Sequence, residues 1–247
     1  MSELSSLLAS AWRSHGTVAI PGELVPADFD AAFSSQHCLL DALGDVAGGW
    51  KVGAKTPDGP AQGAPLPSAG IHHTGAVLER NNFPVLGLEL EIAFSFGRGF
   101  SAADAEMNDA DILGCIESMR TSIEIVSSRL GGWPQAPQLT QLADLQNHGA
   151  LVIGDAITYR PDFPFDHPVV RFAIGEQSLF LGEGSNPAGD PRRLLPWVVR
   201  HCMSRGLLLP AGSIVTTGTF VGAHFVADSG VVVGEIEGLP PLRFSLI

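Results

Sequence analysis

Two glutamates separated by a single residue lie in an otherwise apolar stretch of the sequence. Glu89 and Glu91 belong to the segment VLGLELEIAFSFG (85–97), which is short, apolar and bounded by proline and glycine, as strands are. Alternate side chains of a strand point to one face, so the two carboxylates are expected side by side. Burying both is costly unless a cation neutralises them. The pattern predicts either a divalent cation held by oxygen ligands (Mg²⁺, Mn²⁺ or Ca²⁺) or a strand with a wet polar face.

A third carboxylate lies in another apolar segment. Glu124 occupies the centre of SIEIV (122–126), where an apolar strand gives a charged side chain little reason to be present. Three carboxylates completed by waters would form the octahedral oxygen site that Mg²⁺ prefers. Because Ser122, Glu124 and Ser127 are all polar, a strand with one face in solvent also fits, and both interpretations stay open.

Two basic residues accompany these strands. Lys51 lies in a short strand flanked by glycines, GGWKVG (48–53). It could orient a substrate carboxylate, transfer protons if its pKa is depressed, or stand at a sheet edge with its ammonium in water. Arg129 follows the Glu124 strand and either pairs with a carboxylate at the site or forms an ordinary structural salt bridge.

Residues 56–75 form a long segment rich in glycine, proline and alanine, with His72 and His73 near its end. A loop of this length inside a compact domain is often a lid or a binding loop. The histidines could then act as acid or base when the lid closes, or they could be solvated side chains on a surface loop.

Two polar segments border other strands. Asp144, Asn147 and His148 precede an apolar strand, and Asp144 or Asn147 could line a pocket or cap a turn. The segment TTGT (216–219) ends a strand and could present hydroxyl groups, including that of Thr219, to a ligand, or it could form a turn.

The elements that must position these residues follow from periodicity. Helices are predicted over 3–16, 26–43 and 191–205, and from Asn108 with an apolar stripe that includes Met119. Strands are predicted over 48–53, 85–97, 122–126, 151–159, 169–174, 177–181, 213–217, 230–237 and 242–247. Two helices before any strand indicate a helical N-terminal cap, residues 1–46, on a β-rich body, residues 47–247, within one folding unit.

Composition excludes several classes of function. The 247 residues carry a net charge of −12, which argues against binding to nucleic acid or to an anionic membrane surface. The three cysteines show no zinc-binding spacing, and no signal peptide or membrane-spanning segment is apparent, so we expect reduced thiols and a cytoplasmic protein. The sequence contains no phosphate-binding loop, dinucleotide fingerprint or nucleophile elbow.

The motifs, taken in order, resemble those of a known family. They are GWKVG (49–53), LELEIAF (88–94), SIEIVSSR (122–129), AD followed by GALVIG (143–154), and GSIVTTGT (212–219). The series resembles the 2-keto-4-pentenoate hydratase and 4-oxalocrotonate decarboxylase family of the fumarylacetoacetate hydrolase superfamily, from about residue 48 to the C-terminus. The chain departs from that pattern at Leu145, where the family has asparagine, and in residues 63–73, a segment that the resemblance implies shapes the substrate pocket.

The resemblance implies an α+β fold, a mixed β-roll of the fumarylacetoacetase C-terminal-domain type with a helical N-terminal subdomain. It also implies a homo-oligomer and a cofactor, Mg²⁺ or Mn²⁺, held by Glu89, Glu91 and Glu124. We expect Lys51 and Glu91 to be catalytic. The residues expected to bind substrate are Lys51, His72, His73, Asn147 and Thr219.

The activity implied is that of a lyase. A metal-dependent hydratase would add water to a short 2-oxo acid in its 2-hydroxydienoic form, such as 2-hydroxypenta-2,4-dienoate, with the metal stabilising enolate charge. The alternatives are decarboxylation of a 2-oxo-3-enedioate such as 4-oxalocrotonate, and hydrolysis of a C–C bond in an acylpyruvate or fumarylacetoacetate. A catalytically inactive partner subunit is a further alternative, and a complex with a neighbouring pathway enzyme is a further expectation.

Overall fold

The computed structural model describes residues 2–247, in which helices and strands are mixed. The helices are α1 (Glu3–Arg13), α2 (Phe29–Leu43), α3 (Asp109–Leu113), α4 (Gln138–Ala143) and α5 (Leu195–Ser204). The strands are β1 (Ala47–Gly53), β2 (Gln62–Pro67), β3 (Ile71–His73), β4 (Val77–Leu78), β5 (Gly87–Phe96), β6 (Ile116–Val126), β7 (His148–Ile153), β8 (Ile157–Thr158), β9 (Val169–Ile174), β10 (Gln177–Glu183), β11 (Ile214–Thr219), β12 (His224–Phe225), β13 (Gly230–Ile236) and β14 (Leu242–Leu246). This mixture confirms the predicted α+β class.

The larger sheet closes into a roll. Its strand order is β2-β1-β11-β5-β6-β7-β3, with β12 paired to β5 and β8 to β6. The pairs β1–β11 and β3–β7 are parallel, and the remaining pairs are antiparallel, so the sheet is mixed. Strands β2 and β3 stand at opposite ends of this order, yet a single 3₁₀ turn, Ser68–Gly70, joins them. The sheet must therefore curl until its two ends meet, which confirms the predicted mixed β-roll.

The smaller sheet covers one outer face of the roll. Its order is β10-β9-β13-β14-β4. Buried side chains of both sheets form the main core, including Leu90, Ile123, Phe172 and Phe244. The sheets approach so closely at Gly234 that an added Cβ would lie 2.6 Å from Leu90 Cδ1, so this position requires glycine. Because side chains alternate along β5, the residues flanking Leu90 point to the interior of the roll.

The helices that precede β1 form a second apolar cluster. Ser2 caps α1 by accepting a hydrogen bond from the Ser5 backbone N–H, as its position at the start of the helix predicts. Apolar residues of α1 and α2 pack with the segments around α4. Gln36 Nε2 of α2 donates to the carbonyls of Gly63 (3.2 Å) and Leu142 (2.8 Å), which ties α2 to β2 and α4.

Among the differences from the sequence predictions, two concern a predicted helix and a predicted loop. The helix that begins after Asn108 ends at Leu113 and does not reach Met119, which was predicted to belong to it. The chain from Ile116 onward is strand, and Met119 lies opposite Phe94 in the β5–β6 ladder. The segment 56–75 contains β2 and β3 where a lid was expected. Its prolines are compatible with a strand because β2 stands at the end of the strand order, where missing backbone donors are tolerated.

No helix within residues 2–247 is both long enough and apolar enough to cross a lipid bilayer. The three cysteines are free thiols, with Cys202 buried and Cys38 and Cys115 partly exposed.

Candidate active site

The pairing of β5 with β6 brings the three carboxylates together inside the roll. Glu89 lies directly opposite Glu124, and Glu91 lies opposite Ser122. One oxygen from each glutamate falls within 4.8 Å of the other two. Glu91 and Glu124 are 1% and 0% exposed, and Glu89 is partly buried. The alternative of a polar strand face in water is therefore wrong for both strands.

Glu124 is held through one of its two oxygens. Lys51 Nζ donates to Glu124 Oε1 at 2.5 Å and to the Gln146 carbonyl at 3.2 Å. His148 Nδ1 lies 2.9 Å from the same Oε1 atom. The second oxygen, Oε2, is buried and has no hydrogen-bond partner among the described residues. A buried carboxylate oxygen without a partner is costly, so this oxygen is suited to bind a cation.

Glu91 is also held through one oxygen. Its Oε2 accepts from Thr216 Oγ1 and from the Gly218 backbone N–H, the latter at 3.0 Å. Gly218 has φ +84, a left-handed conformation that favours glycine. Asn186 Nδ2 donates to the carbonyls of Thr217 and Gly218 at 2.9 Å each, which fixes this turn against the carboxylate.

Burial and mutual repulsion shape the protonation of the three carboxyl groups. Burial, together with the charge of Glu124, raises the pKa of Glu89 to about 7. Burial likewise raises the pKa of Glu91 well above its ordinary value, and its two carboxylate neighbours add to this. For Glu124, burial acts to raise the pKa, but Lys51 and His148 outweigh it and hold the pKa below the ordinary value. Glu124 is therefore the most firmly ionised of the three.

Lys51 is a charged donor at this site. Burial alone would lower its pKa, but the charge of Glu124, its hydrogen bond and the other two glutamates raise the pKa above the ordinary value. In the metal-free protein this direction is opposite to the depressed pKa considered from the sequence, and Lys51 carries an ammonium that can orient an anion or donate a proton. Its side chain is only 12% exposed, which also excludes a solvated edge lysine.

The donor set suits a hard divalent cation. All three candidate ligands are carboxylate oxygens, a chemistry that favours Mg²⁺, Mn²⁺ or Ca²⁺ over softer metals. Three carboxylates face a single ammonium, so the cluster lacks positive charge. The unpartnered Oε2 of Glu124 is a second, independent feature that suits a cation at these oxygens.

The carboxylates open onto a cavity of about 420 Å³. This volume lies within the range of sites for small ligands. Its wall includes Lys51, Asn147 and Thr219, which the sequence singled out, and residues that the sequence did not indicate. The additional polar residues on its wall are Lys55, Thr56, Gln62, Gln138, Gln146 and Asn186.

The structure does not bring His72 and His73 to the carboxylates. Both belong to β3, which pairs in parallel with β7 at the end of the strand order opposite β2. His72 lines a separate cavity of about 400 Å³ beside Trp12, and His73 is exposed. The expectation that these histidines bind substrate failed because the segment carrying them is strand and a turn rather than a movable lid.

Arg129 and Asp144 form a buried structural ion pair. Arg129 Nε lies 2.7 Å from Asp144 Oδ1, and the guanidinium also donates to the carbonyls of Asp144 and His148. The guanidinium stacks over the Trp12 ring with its carbon 4.4 Å from the centroid. Neither residue lines the carboxylate cavity, so of the two interpretations of Arg129 the structural salt bridge is the correct one.

Sequence patterns gave no sign of two contacts at the site. Asn186 lies in a loop before α5, and nothing in that loop indicates its hydrogen bonds to the turn at Gly218. His148 reaches Glu124 because Leu145, Gln146 and Asn147 all have positive φ values, which turn the chain sharply before β7. Consecutive left-handed residues other than glycine are uncommon and have no simple sequence signature.

Known proteins share this fold, with sequence identities between 13% and 27%. A 2-keto-4-pentenoate hydratase of Paraburkholderia phymatum is 27% identical over 254 residues, covering 98% of this chain and 95% of that protein. The structure of 4-oxalocrotonate decarboxylase from Pseudomonas putida G7, complexed with magnesium and adipate, superposes with a TM-score of 0.82 at 16% identity and covers 99% of this chain and 97% of that one. A fumarylpyruvate hydrolase from Pseudomonas aeruginosa, in complex with Mn²⁺ and pyruvate, matches with a TM-score of 0.54 at 13% identity over 80% of this chain and 88% of that one.

Residues 44–247 match the fumarylacetoacetate (FAA) hydrolase C-terminal family. This range includes the strands that carry Lys51 and the three clustered glutamates. The chain therefore belongs to the fumarylacetoacetate hydrolase family.

Proposed function

We propose that this chain is a metal-dependent hydro-lyase that adds water to a short 2-hydroxydienoic acid such as 2-hydroxypenta-2,4-dienoate. The observation that carries the proposal is the cluster of three carboxylates, one with a bare buried oxygen, at a cavity of small-molecule size. Similarity over 98% of the chain to a protein named 2-keto-4-pentenoate hydratase supports this choice of chemistry.

Glu89, Glu91 and Glu124 would hold Mg²⁺ or Mn²⁺. When bound, the ion supplies Lewis-acid stabilisation of negative charge on the 2-oxygen of the substrate. It also offsets the negative charge of the cluster, which otherwise repels an acid from a chain whose net charge is −12.

Lys51 binds and orients the substrate in this proposal. Two of its three ammonium hydrogens have acceptors in the protein, Glu124 Oε1 and the Gln146 carbonyl, which leaves one for the substrate carboxylate. Asn147 and Thr219 line the same cavity and can hydrogen-bond the rest of the substrate. Glu91 contributes to catalysis in this proposal as a ligand of the ion, and its raised pKa belongs to the metal-free protein.

Decarboxylation of a 2-oxo-3-enedioate is a second candidate, favoured by one observation. Lys55 lines the cavity four residues after Lys51, so the wall carries a second cation that could hold a distal carboxylate. A monocarboxylic dienoate would leave that cation unused. Cleavage between two carbonyl groups lacks comparable support, because the histidines expected in a lid lie outside the cavity.

The remaining expectations concern assembly and location. We propose a cytoplasmic homo-oligomer, and exposed apolar side chains on the smaller sheet support self-association: Val169, Leu181 and Val231. Light scattering of the purified chain measures the oligomeric state. A complex with a neighbouring pathway enzyme, and the division into a cap of residues 1–46 and a body of residues 47–247, stay predictions.

The test is ultraviolet monitoring of the purified protein with 2-hydroxypenta-2,4-dienoate, 2-oxohex-3-enedioate and an acylpyruvate, each with Mg²⁺ and with a chelator. We expect Mg²⁺-dependent loss of the dienoate absorbance, and no turnover by Glu91→Gln although that variant stays folded. If the enedioate is the only substrate turned over, the activity is decarboxylation and the proposed hydration is wrong. Full activity of Glu91→Gln, or activity unaffected by the chelator, would refute the metal-dependent mechanism.

A further inference from the structure

The two more deeply buried carboxylates of the cluster share a pattern of hydrogen bonding. Each gives one oxygen to donors of the protein: Oε2 of Glu91 to Thr216 and Gly218, and Oε1 of Glu124 to Lys51 and His148. For Glu124 the other oxygen is buried and bare. The donors therefore determine which oxygen of each carboxylate faces the centre of the cluster.

The two donors on Glu124 differ in their freedom. Lys51 has a long flexible side chain, lines the cavity and has a proposed role toward substrate. His148 is 0% exposed and does not line the cavity. Its Nε2 has no hydrogen-bond partner in the described chain, so Nδ1 provides its one polar side-chain contact.

The backbone of His148 is itself anchored. The Arg129 guanidinium donates to the His148 carbonyl while it pairs with buried Asp144. The preceding three residues are fixed in left-handed conformations, and β7 begins at His148 and pairs with β6. The imidazole therefore projects from a rigid position toward a carboxylate on the neighbouring strand.

We propose that His148 is a positioning residue for the metal site: its Nδ1–H holds Oε1 of Glu124 and so presents Oε2 to the ion. A carboxylate oxygen only accepts hydrogen bonds, so this contact requires the proton on Nδ1. The inference rests on the proposed metal at these glutamates but not on the reaction that the enzyme catalyses. Residues that orient metal ligands in this way influence metal affinity directly.

Three variants separate the donor from the bulk of the side chain. His148→Asn places an amide N–H as many bonds from Cα as Nδ1, His148→Gln places it one bond further out, and His148→Leu removes the donor. His201→Leu is the matched control, since His201 is also a buried histidine with an unpartnered Nε2 but packs on aromatic rings. Circular dichroism confirms folding, and titration calorimetry of the full chain measures the Mg²⁺ dissociation constant. The electron paramagnetic resonance of bound Mn²⁺ reports the symmetry of the site.

We expect His148→Leu and His148→Gln to weaken Mg²⁺ binding by about 10- to 100-fold. His148→Asn should bind nearly as tightly as the parent, and His201→Leu should be unchanged. Parental affinity in His148→Leu would overturn the proposal, as would an equal loss in His148→Asn and His148→Leu. If the Leu and Gln variants do not fold, the affinity of His148→Asn decides alone, near-parental binding supporting the proposal and a large loss overturning it.

The same titrations distinguish this proposal from the proposed function. A parent protein that binds neither Mg²⁺ nor Mn²⁺ would refute the metal-dependent reaction and the positioning role together. A parent that binds Mg²⁺ with every His148 variant unaffected would refute the positioning role alone.

Discussion

Substitution of Glu91 separates two effects of the carboxylate cluster: the destabilisation of the metal-free fold and the binding of the metal. Glu91→Gln removes one negative charge from the cluster and keeps a side-chain oxygen that can accept from Thr216 and Gly218. We expect the metal-free variant to melt at a higher temperature than the metal-free parent. We also expect Mg²⁺ to stabilise the parent and to leave the variant unchanged.

The magnitude follows from the geometry of the cluster. The ligand oxygens lie within 4.8 Å of one another, and two unit charges at that distance interact by about 3.5 kcal/mol at an effective dielectric constant of about 20. Glu91 faces two carboxylates, and the attraction of Lys51 cancels part of this repulsion. Partial protonation of Glu91 reduces it further, which leaves a gain of about 1–3 kcal/mol. For a chain of this size that corresponds to a rise of about 2–12 °C in melting temperature.

The pH dependence of the stability difference between Glu91→Gln and the parent provides an internal check. A carboxyl group whose folded pKa is raised destabilises the fold only when it is ionised, so the difference between variant and parent should vanish below about pH 4.5. It should grow as the pH rises, because the folded parent must then hold the ionised group. Glu89, with a pKa raised to about 7, contributes a similar loss of parental stability between about pH 4.5 and pH 7.

Differential scanning calorimetry in a chelator and in excess Mg²⁺ measures both effects. At a free Mg²⁺ concentration of 100 times the dissociation constant, the parent should gain about 2.7 kcal/mol. Glu117→Gln is the matched control, because Glu117 is an exposed glutamate at the start of β6 and should change stability by less than about 0.5 kcal/mol. If Glu91→Gln melts below the parent in chelator, repulsion between carboxylates is not the main effect of Glu91 on folding stability. An undiminished Mg²⁺ shift in the variant would refute its role as a ligand.

Three further predictions concern the residues around the site. Arg129→Met should lower the free energy of unfolding in urea by about 3–5 kcal/mol, because it leaves Asp144 buried without its partner. Burial lowers the pKa of His201 to about 4, so between that pH and about 6.5 the unfolded chain binds a proton that the folded chain does not. Stability should therefore fall as the pH drops from about 6.5 to about 4, and His201→Phe should flatten that part of the profile. Gly218→Ala should lower the melting temperature by forcing alanine into a left-handed conformation, at a cost of about 1–2 kcal/mol. It should also weaken Mg²⁺ binding, because relaxation of the strained turn moves the backbone N–H at this position away from Glu91.

Each of these has an outcome that would contradict it. A change below about 1 kcal/mol for Arg129→Met would show that the buried pair contributes little to stability. An unaltered acid limb in His201→Phe would assign the loss to other groups. Parental Mg²⁺ affinity in Gly218→Ala would show that the strained turn still presents its backbone N–H to Glu91.

The site strands were predictable because they violate the usual composition of buried strands. A charged residue inside an apolar run is a strong local signal, and Glu89, Glu91 and Glu124 each gave it. The alternation along β5 placed two of them on one face. The sequence did not predict that Glu124 lies directly opposite Glu89, because strand register depends on pairing between segments about 35 residues apart.

The segment 56–75 shows why β2 and β3 were not predicted as strands. Glycine and proline in GAPLP (63–67) are typical of a loop, and β2 is a strand only because β1 pairs with it along its length. Pro65 and Pro67 remain compatible with that pairing because β2 is at one end of the strand order. Local composition reports what a backbone can do alone, whereas this strand is stabilised by a non-local partner.

The arrangement of donors links the stability of the fold to its affinity for a metal. If every oxygen of Glu91 and Glu124 were bonded to the protein, an ion would have to displace those bonds and would gain little. Because the donors occupy one oxygen of each carboxylate, the metal-free fold carries both the repulsion and the bare Oε2 of Glu124. An ion that enters removes both penalties at once, so the same carboxylates that lower the stability of the free protein supply the free energy of binding. A substitution that relieves the repulsion in the metal-free fold must therefore weaken metal binding, and Glu91→Gln measures both effects in one experiment.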